Sequence, residues 1–319
     1  MPKISVLIPV YNSESHIERC ISSVLNQSLK DIEIIVINDG SFDKSDDIIK
    51  KYSEDKRINV INIKNSSYGA CLNIGIKEAK GEYITIIESD DFIEKDMLNK
   101  LYQGSNFDLV KCGYKSYPDN IEYKLNLSGK YTLDDIPEII NIGSFIRSAI
   151  YKRDLLINNN IFFDESKNNF WQDISFYFKT LFLTENIYII DEALYNYSRN
   201  DKSFTSKLIK NPQIIVKEFK YIDEFLINKI ILPETYAQLE LSRLNNYINT
   251  FFAISKIYEK EFIMLSSHDL KATNTKIYYK SANIRLKDKI KMFLYVNYSD
   301  VFAMILKIIK KYSQKQQER

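Results

Sequence analysis

The chain has 319 residues, about twice the usual size of one domain, so it has room for one large domain or two adjoining ones. Hydrophobic residues make up 45% and charged residues 27%, a globular balance that excludes a disordered or fibrous chain. Lys and Arg number 44 against 42 Asp and Glu, and the formal net charge of +2 gives no global field for a dedicated nucleic-acid binder.

The first hundred residues alternate between two periodicities. Ile4 to Val10, Ile32 to Ile37, Ile58 to Ile63 and Tyr83 to Ile87 are short β-branched runs of the kind buried on both faces of a parallel sheet. The first of them lacks a small-residue cleavage site behind it and reads as a strand rather than a signal peptide. Each run is followed by helical spacing. Ser13 can cap a helix carrying Ile17, Cys20, Ile21, Val24 and Leu25; Ser41 and Asp43 precede Ile48, Ile49 and Tyr52; Tyr68 to Ala79 is a helix that Gly81 can terminate; Glu94 to Tyr102 is the fourth. Four β-α units in a row predict an α/β fold with a doubly wound open sheet, which binds ligands outside the carboxyl ends of its strands. Pro9 to Asn12, Asn38 to Ser41, Asn65 to Gly69 and Glu88 to Asp91 should build the site.

Farther on, Phe107 to Tyr114 and Tyr123 to Leu127 read as strands, Leu133 to Ile140 and Ile146 to Leu156 as helices, Phe170 to Leu183 as an aromatic helix and Ile187 to Ile190 as a short strand. Beyond Ser206 nearly everything has helical spacing, which divides the chain into a domain over 1–205 and a helical region over 206–319. Residues 285–319 hold nine Lys/Arg and three Asp/Glu, a local charge of +6. There Leu286, Ile290, Phe293, Leu294, Val301, Ile305 and Ile308 can share one helical face, either docked on the protein body or drawn to anionic lipid. No apolar run approaches the ~20 residues of a membrane-spanning helix. Cys20, Cys71 and Cys112 are odd in number, lack C-x-x-C spacing and read as reduced core thiols of a cytoplasmic protein.

Two clusters carry chemistry. Asp39, in Ile35-Val-Ile-Asn-Asp-Gly-Ser41, stands at a strand end where a carboxylate can accept from the imide N–H of a pyrimidine base, with Gly40 allowing close backbone approach. An Asx turn or helix cap is the alternative. Glu88, Asp90 and Asp91, in Ile86-Ile-Glu-Ser-Asp-Asp-Phe92, crowd three carboxylates behind the fourth strand, a repulsion that a divalent cation relieves. All-oxygen donors favour Mg²⁺ or Mn²⁺, which would hold a diphosphate in turn. The alternative here is an acidic turn capping the next helix.

Pro9-Val-Tyr-Asn12, Asn38-Asp-Gly-Ser41, Tyr68-Gly-Ala-Cys-Leu-Asn-Ile-Gly75 with Ala79-Lys-Gly-Glu-Tyr83, and Glu88-Ser-Asp-Asp91 stand in the order and spacing of family 2 glycosyltransferases, and the chain resembles a bacterial nucleotide-sugar transferase of the GT-A fold, densely over 3–105 and thinly over 145–205. The resemblance implies that Pro9 and Tyr11 line the nucleotide base, that Asp39 reads it, that Asn73 and Asp90 belong to the nucleotide-binding set, and that Asp91 is the direct ligand of Mn²⁺ or Mg²⁺ with Glu88 accessory. It departs from the family at Asn38, where many members carry a second acid, and at Leu72, where an Arg often stands. Asp173, in Asn169-Phe-Trp-Gln-Asp-Ile-Ser-Phe-Tyr177, resembles the general base of related inverting enzymes; a helix N-terminal carboxylate is the competing reading. Trp171 would stack on an acceptor sugar or sit in the core. Arg199, in Leu194-Tyr-Asn-Tyr-Ser-Arg-Asn-Asp-Lys-Ser203, would contact the diphosphate or form a surface ion pair.

The resemblance thus implies an inverting, metal-dependent transferase moving one sugar from a nucleoside diphosphate, expected to be UDP, to a hydroxyl of a capsule, lipooligosaccharide or other lipid-linked glycan. The Gln-x-x-Arg-Trp sequence of processive relatives is absent. The expected location is the cytoplasm, with peripheral contact at the inner face of the plasma membrane through 285–319, and the expected partners are donor and glycan acceptor without nucleic acid. A non-catalytic nucleotide-sugar binder supporting another transferase is the alternative. A dinucleotide oxidoreductase is set aside because no G-x-G-x-x-G follows the first strand.

Overall fold

The computed structural model describes residues 1–142, 146–167, 169, 171–199 and 211–317. The chain forms two compact units, one of 1–136 with 143–201 and one of 137–142 with 202–319. The segment 137–142, expected in the first domain, belongs to the helical unit because Asn141 donates to both the backbone and side-chain carbonyl oxygens of Gln238.

The first unit opens with β1 (Ile4–Val10), α1 (Ile17–Leu25), β2 (Ile32–Asn38), α2 (Ser45–Lys50), β3 (Ile58–Asn62), α3 (Tyr68–Glu78) and β4 (Tyr83–Ile86). These strands lie in the order β3-β2-β1-β4 and are all parallel. Alternate residues of β1 serve opposite faces. Val6 and Ile8 pack in the cluster with Ile17, Cys20 and Val24 of α1, while Leu7 and Ile37 lie under α3 so closely that a Cβ on Gly75 would meet both at 3.0–3.2 Å. Burial on both faces explains why β1, β2 and β4 are mainly apolar, each such buried side chain contributing about 1.5–3 kcal/mol, whereas β3 lies at the sheet edge and is only partly covered. The expected caps differ in detail. Ser13 directs its hydroxyl to Ser89 at 2.6 Å, and α1 begins four residues later through backbone bonds to the Ser13 carbonyl. The true side-chain cap is Ser67, whose hydroxyl accepts from Ala70 N–H at the start of α3. Gly81 lies beyond the end of α3, where a Cβ would collide with Ser5.

Beyond β4 come β5 (Phe92–Ile93), α4 (Met97–Tyr102), β6 (Leu109–Tyr117), β7 (Glu122–Tyr123), β8 (Gly129–Tyr131), α5 (Ile139–Ile142), β9 (Ala149–Lys152), α6 (Arg153–Asn158), α7 (Gln172–Leu183) and β10 (Ile187–Ser198). The sheet continues β4-β9-β6-β10-β5, with β9 antiparallel to both neighbours and β10 parallel to β6. The segment 146–156, expected as one helix, is therefore a strand and a short helix. The slot between β4 and β6 supplies hydrogen-bond partners on both sides of Ala149 to Lys152, and tertiary pairing overrides the local spacing. The expected strand over 123–127 is reduced to β7, and the expected helix over 133–140 to α5 alone. Ile187 to Ile190 extends to Ser198, since β6 pairs with it along its length through two register shifts.

The second unit adds α8 (Gln213–Leu226), α9 (Pro233–Ala253), a 3₁₀ turn (Lys256–Tyr258), α10 (Glu259–Ala272), α11 (Thr275–Lys280), α12 (Leu286–Asn297) and α13 (Ser299–Gln317). Its centre is Arg243, wholly buried, which donates to Asp223 and Asp269, lies 3.4 Å from Glu240 and stacks over Phe219. The face expected to dock from α12 and α13 is instead exposed. Met292, Tyr295, Val296, Phe302 and Leu306 are the buried apolar residues, because α10 packs on the opposite side, where the Tyr295 hydroxyl meets Ser266 at 2.8 Å.

Candidate active site

The carboxyl ends of β1, β2 and β4 share one sheet edge, because Val10 pairs with Asn38 and Leu7 with Ile86. The loops behind them are laced together. Asn12, in the left-handed region at φ 50, accepts from Phe42 N–H, and its own N–H donates to Ser41 Oγ at 3.1 Å. Gly40 takes φ 70 with its α-carbon facing Asn65, a turn that a side chain would strain. Tyr11 and Phe42 are exposed and meet edge to face at 6.2 Å, while Asp39 is buried. Asp39 Oδ1 accepts from the backbone N–H and hydroxyl of Ser66, so the base-reading candidate is fixed by the β3–α3 loop.

Two residues on, Tyr68 donates to Glu88 and links that loop to the acid cluster. Glu88 also pairs with Arg147 at 3.0 Å. Burial pushes the Glu88 carboxyl upward against the lowering effects of Arg147 and Tyr68. Burial disfavours the Arg147 charge, yet Glu88, Tyr68, Tyr195 and Asp91 around it hold the guanidinium protonated. Asp91 is fully buried: its Oδ2 accepts from the Tyr195 hydroxyl at 2.6 Å and its Oδ1 from Ser198 N–H at 2.7 Å. Burial first, then the charge of Asp90, pushes Asp91 up to about 7. Asp90 is only partly buried, and its backbone carbonyl accepts from Arg19 at 2.9 Å. Asp173 sits in the first turn of α7, pushed up to about 6 by burial, with Arg147 lowering and Glu88 raising it. The electrostatic reach of Arg147 thus spans Glu88 and Asp91 of the loop behind β4 and Asp173 of α7.

Two expected site residues are used up elsewhere. Asn73 is buried, donates to Phe163 O and Glu165, and accepts from Phe163 N–H at 2.8 Å, so its amide staples the 163–165 loop to α3 rather than facing a nucleotide. Arg199 donates to Asp119 and the Tyr123 hydroxyl as a half-exposed ion pair. Asn200 to Ser203, the rest of that motif, lie outside the described residues. Trp171 is partly buried at the start of α7, its N–H donating to Asn169 Oδ1.

Residues 5–121 match the model of glycosyl transferase family 2. An uncharacterised glycosyltransferase of Bacillus subtilis, EpsJ, is 34% identical over 219 residues, 64% of this chain and 63% of its own; the putative glycosyltransferase EpsH of the same organism is 32% identical over 60% of its own length. The chain therefore spans about three fifths of those two relatives. RP339 of Rickettsia prowazekii, an uncharacterised glycosyltransferase, is 30% identical over 314 residues, 87% of this chain and 95% of its own. The chain belongs to glycosyltransferase family 2. Among solved structures, Staphylococcus aureus TarS 1–349 in complex with UDP-GlcNAc has a TM-score of 0.77 at 19% identity, covering 99% of this chain and 92% of that one. The mannosyltransferase PcManGT of Pyrobaculum calidifontis, in complex with GDP-Man and Mn²⁺, has a TM-score of 0.58 at 14% identity, covering 98% and 88%. At these identities the likeness is one of fold, and that fold is GT-A.

For this family 2 transferase, the donor set decides how a cation fits. Among the described residues no three His, Cys, Asp or Glu side chains form a ready metal cluster. Asp91, the expected direct ligand, has both oxygens engaged by β10, while the neighbouring Asp90 is only partly buried. One hard carboxylate next to a diphosphate site suits Mg²⁺ or Mn²⁺, which commonly take one or two carboxylates and complete their shell with substrate phosphates and water. Sequence reasoning missed Arg147, which lies in a segment whose spacing looked helical, and Tyr195, which lies beyond the expected end of its strand. Tyr68 stood inside a quoted motif, and only its contact with Glu88 reveals its part.

Proposed function

We propose that the chain is an inverting, divalent-metal-dependent glycosyltransferase that moves one sugar from a nucleoside-diphosphate sugar, a UDP-sugar by preference, to a hydroxyl of a surface glycan such as capsule, lipooligosaccharide or another lipid-linked acceptor. Asp173 carries the reading: a carboxyl pushed up to about 6 by burial is ionised at neutral pH yet basic enough to take a proton. Its ties to Glu88 and Arg147 put it in the same electrostatic cluster as the acids behind β4. The UDP-GlcNAc of the TarS complex supports the donor class, and the Mn²⁺ of PcManGT supports the cation.

In this scheme Tyr11 and Phe42 flank the base and Asp39 accepts from its imide, with Pro9 beneath. Asp90 and the diphosphate oxygens would hold the cation, which when bound neutralises charge on the departing diphosphate. Asp91 acts through Tyr195 and Ser198, keeping the Asp90 loop in place. The acceptor oxygen bonds to the anomeric carbon as its proton passes to Asp173. The bond from that carbon to the diphosphate oxygen breaks, and its electron pair leaves with the diphosphate. Attack opposite the leaving group inverts the centre in one displacement. A lipid-carried acceptor would bring this work to the inner face of the plasma membrane.

The test is transfer or donor hydrolysis with a panel of nucleotide sugars and Mn²⁺. Asp173→Asn should lower kcat by roughly 10²–10⁴-fold while donor affinity holds. Because Asp173 works ionised, the wild-type rate should fall as pH drops through about 6, and the variant should lose that limb. Equal turnover by the two proteins would remove Asp173 as the base, and a wild type that binds a donor but never turns it over would leave nucleotide-sugar binding without catalysis. Full activity in chelator would remove the cation.

A further inference from the structure

Two consecutive helices of the second unit leave their apolar face uncovered. Leu286, Ile290 and Phe293 on α12, and Val301, Met304 and Ile308 on α13, recur at helical spacing and are 48–73% exposed. The opposite faces are fully accounted for: Met292, Tyr295, Phe302 and Leu306 are buried, with Tyr295 bonded to Ser266 of α10. The two helices keep this division through the corner at Tyr298. Exposed Phe293 meets exposed Tyr298 at 5.8 Å on the outside, and buried Tyr295 meets buried Phe302 at 5.1 Å on the inside. Soluble monomers rarely leave so many large apolar side chains together in water.

We propose that this face of α12 and α13 is a docking surface for an anionic lipid bilayer. Charge selects that occupant. Residues 285–319 carry +6 in a chain whose remainder carries −4. Lys287 follows the apolar arc of α12 around its helix and Lys311 that of α13, while the neighbouring Lys291 and Lys307 pair with the protein's own Asp288 and Glu259. A second copy seated on the same face would bring two +6 segments together, whereas anionic headgroups neutralise them. No described helix is long and apolar enough to cross a membrane, so the pair would lie in the interface plane, apolar side chains in the acyl boundary and lysines at headgroup level. The surface belongs to the helical unit and does not depend on the transfer chemistry proposed for the first.

The experiment is flotation of the full chain with phosphatidylcholine vesicles, with and without about 30% phosphatidylglycerol, at low and high salt, beside analytical ultracentrifugation without lipid. The wild type should float with the anionic vesicles and release in high salt. Phe293→Asp with Ile305→Asp should reduce the bound fraction roughly tenfold. Lys287→Glu with Lys311→Glu should abolish the preference for anionic lipid, and both variants should keep the wild-type circular dichroism and donor-induced thermal shift. Three results would overturn the proposal: no flotation of the wild type, equal partitioning of the aspartate variant, or a lipid-free dimer that this variant splits. Failure of transfer activity in a protein that still floats would count against the enzymatic reading alone.

Discussion

Two arginines, one in each unit, stand among carboxylates and come to different ends. Arg243 is sealed: Asp223, Asp269 and Glu240 surround it on helices, Phe219 stacks on it, and none of its side chain reaches water. Arg147 keeps 24% of its side chain exposed, pairs directly with Glu88, and extends its field to Asp91 and Asp173. The Arg243 charge is enclosed, with Asp223 alone of its three acids at the surface, and the set contributes to holding helices together. The Arg147 set is assembled from a strand-end loop, the residues before β9 and the first turn of α7, and it remains partly open. Identical side-chain chemistry is structural where every partner is supplied by the fold, and is available for a substrate where exposure remains.

The largest effect should come from the sealed set. Arg243→Ala leaves the buried acids Glu240 and Asp269 without their cation and should cost about 3–5 kcal/mol in denaturant unfolding, with Arg243→Met costing less because it refills the volume. Equal tolerance of Ala and Met would mean that water reaches this centre and that the contrast is false. Arg147→Met should lower kcat roughly 10- to 100-fold through lost positioning, with little change in stability. Since Arg147 lowers the Asp173 pKa, the acidic limb of the rate profile should also move upward from about 6. A rate loss without that movement would separate Arg147 from the base. The smallest effect belongs to Asn73→Ala, which strands the buried Phe163 N–H and should cost about 1–3 kcal/mol while nucleotide affinity stays within threefold, as titration calorimetry would show. A large affinity loss at unchanged stability would return Asn73 to the nucleotide.

What was legible in the sequence follows from what writes a pattern. β1, β2 and β4 are buried on both faces and β3 closes the edge beside them, so their β-branched runs announce themselves, and the loops behind them carry motifs whose order can be read. β9 is four residues inserted between strands remote in sequence, and nothing local in Ala149 to Lys152 tells of that slot. Arg147 precedes it with no motif around it. Asp91 and Asp90 are adjacent acids whose difference arises only when β10, about a hundred residues later, delivers Tyr195 and Ser198 to one of them. The apolar spacing of 285–308 was visible, but spacing alone cannot say which side of a helix finds a partner.

The Asn73 amide and Gly69, where a Cβ would stand 2.1 Å from Asp164 O, together rivet the 163–165 loop onto α3. The approach to α7, and with it the aim of Asp173, is thus inherited from a helix about a hundred residues upstream. Chimeras that swap a donor-recognising half between homologues should therefore work only when the segment spanning 163–165 travels with α3, whatever breakpoint the domain boundary suggests.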